Sequence, residues 1–112
     1  MRIIVSGGRA FSDKTRVDVA LDSVHSRSPV TVVVHGGCSG ADSLAGEWAA
    51  ANGVTTEVHL ADWAAFGRSA GPRRNAIMVA SGASLVVAFP GGAGTAGLVR
   101  MARAAGIEVV EA

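Results

Sequence analysis

The chain has 112 residues, 49% of them apolar and 17% charged, with a formal charge of +1. That length holds one hydrophobic core and so one domain, residues 1–112, and the apolar content excludes a disordered chain. The small net charge lacks the broad basic field that draws a protein to nucleic acid or an anionic membrane, and no apolar run is long enough for a leader or a bilayer span.

Apolar runs rich in β-branched residues at Ile3–Val5, Val30–Val34, Val54–Val58, Leu85–Phe89 and Ile107–Val110 predict five strands. Helical spacing lies between them: Val17, Ala20, Leu21 and Val24; then Ala41, Leu44, Ala45 and Trp48; then Leu98, Met101, Ala102 and Ala105. A further helix is expected to begin near Pro72, which suits a first helical position, and to stop at Gly82. Strand–helix alternation of this kind predicts an α/β fold: a single Rossmann-like, three-layer domain with a mainly parallel five-stranded sheet and helices on both faces. Ligands of such sheets bind beyond the carboxyl ends of the strands, where strand order reverses, so four strand-to-helix loops should converge there.

The first loop opens with Ser6, Gly7, Gly8 and Arg9, where paired glycines let backbone amides approach an anion and Arg9 can reach a phosphate. The second, His35 to Asp42, carries Gly36, Gly37, Ser39 and Gly40 ahead of a helix, the context in which free amides surround an anion. Ser39 and Asp42 stand three apart in the order of a capping box. Asp42 therefore has two readings, a helix-capping carboxylate or a functional one that holds ribose hydroxyls or acts as general base. His35 and Cys38 lack a third group that would make a nucleophilic site. The third connection, Leu60 to Asn75, is the longest; Trp63 and Phe66 can stack on a base, while Arg73 or Arg74 and Asn75 can hold phosphate or ribose. The fourth, Phe89 to Gly97, is the sharpest signal: Pro90, Gly91, Gly92, Gly94 and Thr95 sit between strand and helix, with Thr95 able to cap the helix or donate to phosphate. It has neither the lysine of a Walker A loop nor the spacing of a dinucleotide fingerprint.

Charge is distributed to match. Between Ala64 and Ile107 the chain holds Arg68, Arg73, Arg74, Arg100 and Arg103 and no acidic residue, a composition suited to anions. The dispersed histidines His25, His35 and His59 with a single cysteine form no metal motif, and the reading requires no metal or other cofactor. Cys38 alone cannot build an internal disulfide, which fits a reducing compartment, so the expected location is cytoplasmic.

Taken in order, Gly7 to Phe11, His35 to Gly37 with Gly40 to Asp42, Ala61 to Trp63 with Gly67, Ala70 to Asn75 with Met78, and Phe89 to Thr95 resemble the SLOG superfamily of Rossmann-like proteins, which includes Smf/DprA and LOG-like members. The resemblance is to its YspA-like, YpsA-related branch and covers nearly the whole chain. It implies a nucleotide or nucleotide-derived ligand at the glycine-rich edge, bound by a sensor or sequestering module. Two alternatives follow from other branches: a phosphoribohydrolase that cleaves an N-glycosidic bond, and a DprA-like module for single-stranded DNA, against which the low net charge argues. The phosphoribohydrolases carry paired glutamates after a Pro-Gly-Gly-x-Gly-Thr motif, where this chain has Gly97 and Leu98. An enzyme built on this sequence would have to find its carboxylate elsewhere, and Asp42 is the first candidate, with Asp62 second. A homodimer is the expected assembly, from exposed apolar helix faces and from the resemblance.

Overall fold

The computed structural model describes residues 1–112. Strands β1 (Arg2–Ser6), β2 (Val32–His35), β3 (Thr55–Val58), β4 (Leu85–Ala88) and β5 (Glu108–Glu111) form one sheet in the order β3-β2-β1-β4-β5, every neighbouring pair parallel. Helices α1 (Lys14–Arg27), α2 (Ala41–Ala51), α3 (Trp63–Phe66), α4 (Ala70–Ala80) and α5 (Ala93–Ala104) connect them, with a 3₁₀ turn at Gly67–Ser69. This is the α/β Rossmann-like architecture that the alternation of strands and helices predicts.

Side chains of a strand alternate between its faces, and the registry of the sheet lines them up. Ile3 pairs with Val33 and Leu85, and together with Val5 and Val87 this row packs under Val17, Leu21 and Val24 of α1 and Ala45, Trp48 and Ala49 of α2. Ile4 pairs with Val34 and Val86, and this opposite row packs against Met78 of α4 and Leu98, Val99 and Ala102 of α5. Burial on both faces is why β1, β2 and β4 read as continuous apolar runs. The two edge strands are polar: Thr55 and Thr56 on β3 and Glu108 and Glu111 on β5 face solvent, which discourages edge-to-edge pairing. No helix is long and apolar enough to cross a membrane.

Three expectations shift. Val30, in the core, and Ile107, half-buried against it, lie outside the paired segments, because they pack inward from the connecting turns rather than from the strands. Helix α4 begins at Ala70, so Pro72 is its third residue and not its first. Proline is still tolerated there, since the first four amides of a helix have no intrahelical acceptor. The stretch from Leu60 to Asn75 is not a long loop either, because Asp62 caps α3 by accepting from the Ala65 amide at 3.0 Å, and the 3₁₀ turn carries the chain directly into α4.

Candidate functional site

From β1 the chain runs outward through β2 and β3, then returns to lay β4 on the other side of β1. The loops leaving β1 and β4 therefore part at the reversal of strand order, and the β2 loop lies beside them. They are tied together by backbone: the Gly8 amide donates to Pro90 O at 2.8 Å, Phe89 to Ser6 O at 2.8 Å, and Ala41 to Gly8 O at 3.2 Å. Several of the glycines exist for this packing. A Cβ at Gly7 would lie 2.5 Å from that of Ala41, and one at Gly91 would lie 2.5 Å from Thr95 Oγ1 and 2.7 Å from the Gly8 nitrogen. Gly40, at φ +76°, abuts the carbonyl of Gly8 in a backbone conformation that side-chain-bearing residues rarely adopt.

Above this seam lies a cavity of about 750 Å³, within the range of small-molecule sites. The start of α5 forms one wall. Gly92 is its N-cap and supplies no side-chain acceptor, so the first-turn amides are left without a protein partner. Nothing lies within 4 Å of the Cβ positions of Gly92 and Gly94. Thr95, expected as a possible cap, is instead the third residue of α5, and its hydroxyl accepts from Ser6 Oγ at 3.4 Å. An open helix N-terminus of this kind favours an anion.

The opposite wall carries Asp42, which is only 6% exposed. Its Oδ2 accepts from the amides of Gly36 at 3.0 Å and Cys38 at 3.3 Å, so it fastens the preceding loop. The expected capping box is not formed. Gly40 occupies the N-cap without a side-chain bond, and Ser39 Oγ donates across to Arg9 O at 3.1 Å, because the positive-φ turn at Gly40 swings Ser39 away from the helix. Burial pushes the Asp42 carboxyl above its usual range, while the Cys38 amide, His35, the Gly36 amide and the Arg74 charge pull it back. His35 sits beneath, its Nδ1 accepting from the Gly37 amide at 3.0 Å. Burial lowers its pKa, and the Asp42 charge opposes that shift.

Arg74 closes this wall. Its Nε donates to Asn75 Oδ1 at 2.9 Å and its Nη1 to Gly36 O at 3.0 Å and His59 O at 3.3 Å. Asn75, buried at 6% exposure, donates onward to Gly94 O at 3.2 Å and so fixes α4 to the start of α5. Arg74 is thus a pre-positioned guanidinium at the cavity. Arg73, its neighbour, turns outward, donating to Ser69 Oγ at 3.1 Å and lying 4.4 Å from the Phe66 ring centroid. At the mouth, Arg9 lies 5.6 Å from the ring centroid of half-exposed Trp63.

Of the residues singled out from the sequence, Gly7, Gly8, Arg9, Asp42, Trp63, Asn75, Gly92, Gly94 and Thr95 line the cavity. Gly36, Gly37, Ser39, Gly40 and Arg73 do not line it, and Pro90 and Gly91 face a second hollow across the turn. Ser6, Cys38, Arg68, Gly97 and Arg100 line the cavity without having been singled out for it. For Arg68 and Arg100 the acid-free stretch was the available signal. The Gly8 amide, spent on Pro90 O, is not free for a ligand. Leu98, at the position of a family glutamate, is fully buried in the core, and Asp42 is the one acidic residue on the cavity wall.

The profile of YAcAr, the YspA, cpYpsA-related SLOG family, matches residues 1–66. The chain is also 44% identical over 118 residues to the Gene 61 protein of Mycobacterium phage D29, an alignment that takes in 97% of this chain and 94% of that protein. The profile covers β1 to α3, and with them Arg9, Asp42 and Trp63, while the phage relative spans the α4 and α5 walls as well. By the profile match over more than half of its length, the chain belongs to the YspA, cpYpsA-related SLOG family.

Proposed function

We propose that the protein binds a nucleotide or nucleotide-derived ligand in this cavity and acts as a sensor or sequestering module. The observation that carries the reading is the bare start of α5 facing a cavity that also holds the fixed guanidinium of Arg74. A phosphate at the Gly92 to Thr95 amides meets the positive helix end and gains charge-assisted bonds from Arg74 and Arg100. The base stacks at Trp63, beside Arg9. Asp42, with Oδ2 committed to two amides, offers its second oxygen to ribose hydroxyls. Nucleoside phosphates, ADP-ribose-like molecules and signalling nucleotides all fit this division of labour.

A second reading, hydrolysis of an N-glycosidic bond, draws on the same carboxylate. An oxocarbenium-like transition state needs nearby negative charge and a base to orient water, and Asp42 is the residue of this cavity that could provide them. Native mass spectrometry of the purified protein, with a mixture of nucleoside phosphates, ADP-ribose and cyclic nucleotides, separates the two when the incubated mixture is then chromatographed. A retained and unchanged ligand is the expected result. Free base or sugar phosphate, lost in Asp42→Asn, would replace binding with catalysis, and no retained ligand would remove the nucleotide reading.

A further inference from the structure

We infer that the ligand site has a second, anion-binding compartment across the Gly91 to Thr95 turn, and that its ligand carries a diphosphate lying over that turn with one phosphoryl group directed toward each compartment. This rests on the nucleotide reading above and narrows it. The second hollow, about 560 Å³, is lined by Arg16 of α1 and by Arg100 and Arg103 of α5, and it shares Gly92, Thr95 and Arg100 with the first. The turn is therefore a partition with a cavity on either side, and Arg100 belongs to both.

Helical side chains lean toward the N-terminus of their helix, and Arg100 does so: its Nη2 lies 3.7 Å from the Cβ position of Gly97, one turn closer to the partition. Neither the Arg100 nor the Arg16 guanidinium makes a hydrogen bond or an ion pair within the protein. Arg16 only approaches the Phe11 ring, at 6.0 Å, and Arg103 makes a single 3.4 Å contact with the exposed Glu111. Glu111 is the one acidic side chain on this hollow. Two guanidiniums without a protein partner and a third held only by that exposed contact line this hollow against a single acidic side chain, a charge balance that favours a bound anion. The open Cβ position of Gly92 leaves the partition uncovered, so a phosphate chain can cross it. A monophosphate faces one hollow; a diphosphate lying over the open Gly92 position turns one phosphoryl group toward each.

Calorimetric titration of the full chain with 5′-mono- and diphosphates of the four common nucleosides tests this. For the base that binds, the diphosphate is expected to bind about tenfold more tightly than the monophosphate, the effect of one further charge-assisted contact. The double variant Arg16→Gln/Arg103→Gln, at two exposed positions, should bring that ratio close to one. Removing the same charge at Lys14 and Arg27, which line neither cavity, should leave the ratio in place and so exclude a general field effect. Equal affinities for mono- and diphosphate in the unmodified protein, or a ratio indifferent to the Arg16/Arg103 substitutions, would overturn the second compartment while leaving the nucleotide site standing. Binding of neither class would overturn both.

Discussion

The glycines of this protein fall into two groups that look alike on paper. Gly7, Gly40 and Gly91 are packed against neighbouring backbone or Cβ atoms, whereas Gly92 and Gly94 face open space at the start of α5. The first group lets three loops close on one another at the edge of the sheet. The second leaves room for something that is not protein. A glycine-rich segment is thus no single signal: Gly91 and Gly92 are adjacent, yet one serves the fold and the other the cavity.

The sharpest way to break this comparison is to add the same methyl group to each class. Gly40→Ala forces a positive-φ position and drives a Cβ into the Gly8 carbonyl, so urea unfolding should show a loss of about 3 kcal/mol. Gly94→Ala should instead hold stability or raise it by about 0.5–1 kcal/mol, since alanine is the better helix former, while ligand retention in native mass spectra falls. Loss of stability in Gly94→Ala would merge the two classes.

A parallel contrast separates the adjacent arginines. Arg74→Gln leaves Gly36 O and His59 O without their donor and should cost about 1–2 kcal/mol as well as ligand retention. Arg73→Gln, which gives up an exposed bond to Ser69 and a ring contact, should change stability by less than about 0.5 kcal/mol and leave binding intact. The two variants compared by thermal melting and native mass spectrometry decide whether Arg74 alone belongs to the site.

The smallest effect concerns pH. His35 has its pKa lowered by burial, so the unfolded chain takes up a proton near pH 6.5 before the folded one does. The stability from keeping His35 neutral is fully present above pH 6.5 and is lost as the pH falls through its lower folded value. Denaturation series from pH 7.5 to 5 should show stability falling with acidity, and His35→Asn, which retains an acceptor for the Gly37 amide, should flatten that slope. An unchanged slope would place the titrating group elsewhere.

Much of the fold was legible because it depends on local patterns. The β-branched runs and the spacing of residues such as Val17, Leu21 and Val24 name the elements, and alternation with helices implies a parallel sheet. The site was legible only as an address. That Ser39 would reach Arg9 instead of capping α2, or that the Gly8 amide would be spent on Pro90, depends on contacts between loops distant in sequence. The choice between Arg73 and Arg74 turns on helix phase. With about 100° between successive residues, and α4 starting at Ala70 rather than Pro72, the residue facing inward could not be read from its neighbours alone.

The central strand pair has a consequence for how the molecule matures. Ile3 pairs with Leu85, about eighty residues away, so the middle of the sheet closes late and at high entropic cost. Asp42 and Arg9 come from the first half of the chain, but Arg74, which closes the Asp42 wall, and Arg100 on α5 are made later. A nascent chain halted after α3 lacks Arg74, the bare start of α5 and Arg100. Under the proposed nucleotide reading, occupancy of the cavity reports completed synthesis and folding, and a bound ligand should protect the whole sheet from unfolding rather than one loop of it.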